Sequence, residues 1–122
     1  MNRVIHFEIG AESPERAVKF YEDVFGWRAA RWAGPQSYWL MNTGPDTEKG
    51  INGGVLRLED GQPRIINTIE VESVEEYSNK VQQNGGQVVV PKFAVHGVGW
   101  QAYCKDTEGN IFGIHKPDAA AK

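Results

Sequence analysis

The sequence predicts an α+β domain built from two βαβββ modules with pseudo-twofold symmetry, whose curved mixed sheets surround a cleft. Three observations lead there. Ser13 and Ser73 each precede a helical pattern, and Gly26 and Gly86 each end one, so both boundaries recur at an offset of sixty positions. Phe7-Glu8-Ile9 in the first half is answered by Ile69-Glu70-Val71 in the second, once the turn before the second helix is shortened by two residues. Each helical pattern is also preceded by one strand pattern and followed by three. Two copies are too few for a solenoid, so the copies are expected to bury a shared face.

Val4 to Ile9 alternates, with Ile5, Phe7 and Ile9 on one side and Val4, His6 and Glu8 on the other, which is the period of a half-buried strand. Ser13-Pro14-Glu15 then supplies an N-cap, a proline at the first helical position and a carboxylate near the positive helix end. Ala17, Phe20, Tyr21, Val24 and Phe25 recur at helical spacing, and Gly26 stops the run. Strands are predicted over 27–32, 37–42 and 53–58, separated by the Gly34-Pro35 turn and a polar loop from Thr43 to Gly50. Gly61 to Arg64 reads as the linker between modules, the first covering about 1–60 and the second about 65–117. The second module repeats the order: a strand over 67–71, a helix over 74–84, and strands over 87–93, 100–104 and 110–115. Ser73 with Glu76 forms a capping box, and Gly85-Gly86 ends the helix. Asp106 to Gly109 is a polar turn feeding the last strand, and 118–122 reads as a frayed tail.

A chain of 122 residues, 40% hydrophobic, fits one domain with its own core. The lone Cys104 excludes an intrachain disulfide and a cysteine-rich zinc site, and reads as a buried, inert thiol in a reducing compartment. Thirteen Lys and Arg against sixteen Asp and Glu give a net charge of −3, with the cations scattered, which argues against nucleic acid as a partner. No apolar run reaches membrane-spanning length and no signal-like segment opens the chain, so a cytoplasmic protein without a membrane partner is expected. Nucleophile and phosphate-loop motifs are missing: there is no G-x-S-x-G and no H-E-x-x-H, and Gly97-Val98-Gly99 lacks the strand-loop-helix setting of a phosphate cradle.

The segments VIHFEIGAESPERAVKFYEDVFGW at 4–27 and GGQVVVPKFAVHGVGWQAYCKDTEGNIFGIHKP at 85–117, taken with the repeated module order, resemble the vicinal oxygen chelate superfamily of glyoxalase I, extradiol dioxygenases and bleomycin-resistance proteins. The chain is similar to its small glyoxalase-like members. The resemblance implies a divalent-metal site with one ligand on the first strand of each module and a carboxylate on the last strand of each. Carried over by position, His6 fills the first of these places and is a competent donor, whereas Thr68 fills its counterpart and is a poor one. The last-strand places fall on Gly113 and on Gly53-Gly54-Val55, which carry no carboxylate. One strong ligand of four survives, and a mononuclear site generally needs three or more. The expectation is therefore no cofactor or a weakly bound divalent metal at His6.

The expected function is binding of a small, planar or aromatic ligand in the cleft between modules, with the metal site degenerate. The alternative is a metal-dependent lyase, isomerase or dioxygenase using a rearranged site based on His6. Expected ligand-binding residues are His6, Glu8, Trp39, Thr68, Glu70, Trp100, Tyr103 and His115. Glu8 and Glu70 lie two residues beyond His6 and Thr68 and share their strand faces, and His115 stands in the same relation to Gly113. Trp39, Trp100 and Tyr103 lie on middle strands, where an aromatic ring either fills the core or floors a ligand site. A homodimer is expected from the resemblance.

Overall fold

The computed structural model describes residues 1–34, 37–58 and 60–122; the Pro35 half of the expected Gly34-Pro35 turn lies outside them. Its elements follow the order β1 (Val4–Gly10), α1 (Pro14–Phe25), β2 (Arg28–Arg31), β3 (Tyr38–Asn42), β4 (Gly53–Leu56), β5 (Arg64–Glu70), α2 (Val74–Gln83), β6 (Gln87–Val95), β7 (Gly99–Lys105) and β8 (Ile111–Pro117). The α+β class and the doubled βαβββ order are those predicted. The chain forms two compact units, one of residues 6–66 and the other of 1–5 with 67–122.

In the 6–66 unit the strands lie in the order β2-β3-β4-β1, with β1 and β4 parallel and the other pairs antiparallel. Parallel neighbours need a crossover, and α1 with the β2-β3 hairpin supplies it. Helix α1 starts where the Ser13 side chain accepts from the Arg16 amide, and it stops at Gly26, whose φ of 73° favours glycine. Ile9, Val18, Met41 and Val55 form its buried core, with Phe7, Ala17, Tyr21, Trp27 and Trp39 packed around them.

The second unit repeats the plan with β5-β8-β7-β6, parallel between β5 and β8. Helix α2 begins at Ser73, which accepts from the Glu76 amide at 3.1 Å. Its core joins Val71, Val74, Ala102, Cys104 and Ile114. Cys104 is fully buried, and burial pushes its thiol pKa up, as expected for an inert group. The segment expected to be the linker is partly strand, since β5 begins at Arg64, and β6 and β8 run two residues beyond their expected ends. The tail is docked rather than frayed: Ala121 is buried, its carbonyl accepts from the Gly97 amide, and the Asp118 amide donates to the Val98 carbonyl. The Trp100 indole N–H adds a bond to the Asp118 carboxylate at 3.1 Å.

Candidate functional site

Strand register decides which side chains share a face, because paired residues point the same way and successive ones alternate. In the 6–66 unit, Ile9, Val55 and Trp39 stand in one row and belong to the α1-covered core. The opposite row joins Glu8, Gly54 and Leu40, and two residues along each strand it adds His6 and Tyr38. This face is polar. His6 Nε2 lies 2.7 Å from the Tyr38 hydroxyl, and the two rings are nearly parallel at 15°. Trp32 meets Tyr38 edge-on, with centroids 6.2 Å apart.

Burial holds the His6 pKa below its ordinary value, with the charge of Glu8 opposing part of that shift. The ring is therefore neutral near pH 7, and a neutral imidazole is both a donor and an acceptor. Glycine at position 54 is what admits the pair: a Cβ there would fall on the Tyr38 hydroxyl.

The other unit shows the same device in different residues. Thr68 pairs with Gly113 and Gly113 with Tyr103, while Glu70 pairs with His115 and His115 with Gln101. These six share the face opposite α2, and Phe93, paired with Gln101, joins them and stacks on Tyr103 at 6.1 Å and 25°. His115 Nδ1 lies 2.8 Å from Gln101 Oε1, which makes the imidazole N–H the donor. A Cβ on Gly113 would come within 2.7 Å of Gln101 Nε2 and 3.0 Å of Thr68 Oγ1. The Thr68 hydroxyl is buried without a hydrogen-bond partner among the described residues, a group that costs free energy unless something satisfies it. Gly99 lets His115 approach, because a Cβ there would sit 2.7 Å from its Nε2.

Of the residues expected from sequence, His6 and Glu8 share one unit's polar face, and Thr68, Glu70, Tyr103 and His115 share the other's. Trp39 and Trp100 do not join them. Both lie on helix-covered faces, Trp39 against the α1 core and Trp100 against the α2 core, because their strand parity matches Met41 and Ala102 rather than their polar neighbours. Tyr38 and Gln101 were missed. The signal for them was the glycine on each last strand, which leaves space for a side chain from the adjacent strand.

Paired βαβββ modules with mixed four-stranded sheets define the vicinal oxygen chelate class of fold. The family model described as "Glyoxalase/Bleomycin resistance protein/Dioxygenase superfamily" matches residues 3–114, and the chain belongs to that superfamily. A methylmalonyl-CoA epimerase solved with methylmalonyl-CoA and NH4+ is similar over 100% of this chain and 99% of its own, with a TM-score of 0.72 and 12% identity. The methylmalonyl-CoA epimerase from Mycobacterium tuberculosis is similar over 94% of this chain and 87% of its own, with a TM-score of 0.66 and 15% identity. The NAD-dependent benzaldehyde dehydrogenase from Legionella pneumophila is similar over 93% of this chain and 98% of its own, with a TM-score of 0.64 and 13% identity. At such identities the likeness is one of fold alone. No curated protein matches significantly.

The superfamily's divalent metal does not fit the residues present. Among the described residues no group of three or more His, Cys, Asp or Glu is placed to hold an ion. Both last-strand positions are glycine, and the volume a ligating side chain would need is taken by Tyr38 in one unit and by Gln101 with Thr68 in the other.

Proposed function

We propose that this protein binds a small, planar organic molecule by hydrogen bonding and ring stacking on the polar sheet faces, without a coordinated metal. The observation that carries the reading is the pairing of histidine with a neutral partner, His6 with Tyr38 at a first-strand ligand place and His115 with Gln101 two residues beyond a last-strand one. Each pair has an aromatic neighbour, Trp32 beside Tyr38 and Tyr103 beside Gln101, which suits a flat ligand. Glu8 and Glu70 stand on the same faces and the chain carries −3, so the electrostatics disfavour a polyanion such as a CoA ester. A metal-dependent lyase, isomerase or dioxygenase based on His6 is the weaker reading, because the same hydrogen bond engages His6 Nε2.

We take the working form to be a cytoplasmic homodimer; the exposed Phe20, Val24 and Phe25 on α1 support association. The test of ligand binding is a panel of neutral and cationic aromatic compounds, with methylmalonyl-CoA included because one structural neighbour was solved with it, followed by amide and side-chain chemical shifts. Shifts confined to a polar face are expected, at His6 and Tyr38 and weakened roughly tenfold by Tyr38→Ala, or at Gln101, Tyr103 and His115 and weakened likewise by Gln101→Ala. Shifts confined to the helix-covered faces, or tightest binding by the CoA ester, would count against the proposal.

A further inference from the structure

We infer that Tyr38 is this protein's internal replacement for the divalent cation. A residue of β3, outside the strands that carry the superfamily's ligands, has taken the space that a ligating side chain would need and the partner that an ion would use. The space is the volume above Gly54 on β4, in the row it forms with Glu8, where a Cβ would fall on the phenol hydroxyl. The partner is His6 Nε2, which the same hydroxyl meets at 2.7 Å.

The two losses support each other physically. With glycine at position 54 the phenol lies against bare backbone, and with the phenol there no carboxylate can be restored by substitution at position 54 alone. A phenol also suits the half-buried setting: it satisfies the imidazole without bringing a net charge into a place where burial already disfavours the charged ring. The second unit reached the same end with other atoms. There Gln101 fills the volume above Gly113, which pairs with Thr68, and holds His115 Nδ1 at 2.8 Å. With both last-strand positions filled independently, neither unit keeps room for the acidic ligand that an ion would need.

The inference shares His6 with the ligand-binding reading but not its fate, because the probe here is the metal alone. Zinc or cobalt is titrated into the purified chain, with calorimetry for stoichiometry and nitrogen-15 histidine spectra for the site. The His6 resonances are expected to stay unmoved through the first equivalent. Tyr38→Phe, which removes only the hydroxyl, is expected to raise the rate at which diethyl pyrocarbonate modifies His6 by roughly fivefold or more, with His96 as an internal reference. One equivalent of metal bound by the wild-type chain at micromolar concentration or below, and lost in His6→Ala, would overturn the inference. So would an unchanged His6 reactivity in Tyr38→Phe. A failed ligand screen touches neither result.

Discussion

His6 stays neutral because its ring is withdrawn from water, and that has a consequence for stability. Its folded pKa is depressed below the ordinary value of 6.5, so at high pH both folded and unfolded chains are deprotonated, and as pH falls the unfolded chain takes up the proton first. The stability this group contributes is present above pH 6.5 and is lost as pH falls through the unfolded and then the folded pKa. Urea titrations between pH 7.5 and pH 5 are expected to show this slope, and His6→Gln is expected to flatten it. Gly54 and Gly113 provide a paired comparison. Gly54→Ala drives a methyl into the Tyr38 hydroxyl and is expected to cost about 1–3 kcal/mol, whereas Gly113→Ala meets the movable end of Gln101 and should cost less. Equal losses in denaturant melts would show that Tyr38 yields as easily as Gln101.

The elements owe their ends to a few polar contacts. Ser73 caps α2 at 3.1 Å, while Ser13 reaches the Arg16 amide at 3.4 Å, the limit of a useful bond, and α1 has Pro14 to fix its first turn as well. Ser73→Ala is therefore expected to cost about 1 kcal/mol and Ser13→Ala less, a ranking read from the same melts. The turn before β8 depends on Asp106, whose Oδ1 accepts from the amides of Glu108 and Asn110 while Oδ2 accepts from the Asn110 side chain. Those bonds hold its carboxyl below the usual carboxylate range, led by the Asn110 amide. This turn sets the entry of β8, and β8 carries both Gly113 and His115.

At the scale of the molecule, the C-terminal residues belong to the structure of the unit they close. Deleting 118–122 removes the Asp118 partner of Trp100 and uncovers the surface where Ala121 is buried. The truncated chain is expected to melt at a lower temperature and to show red-shifted tryptophan emission; unchanged emission would mean that the docked tail does not shield Trp100. Light scattering is expected to give twice the 13.6 kDa chain mass, and a mass of one chain would remove the homodimer from the proposal.

How much was legible divides along physical lines. The α+β class, both βαβββ modules, both serine caps, the Gly26 stop and the buried Cys104 follow from period, capping chemistry and glycine conformation, which are local and act within a few residues. The same period put His6 with Glu8, and Thr68 with Glu70, on common faces. It could not say which face α1 or α2 covers, because alternation fixes two sides without naming the buried one. Trp39 and Trp100 fell on the covered sides for that reason. Tyr38 and Gln101 escaped notice because each matters through a glycine on the neighbouring strand, and strand register, a product of non-local pairing, decides which side chain enters the space a glycine leaves. By itself the sequence determined the modules, their caps and the presence of glycine at positions 54 and 113. Only the tertiary structure decided what fills the vacated space, since that depends on distances between residues sixteen and twelve positions apart in the chain, Tyr38 to Gly54 and Gln101 to Gly113.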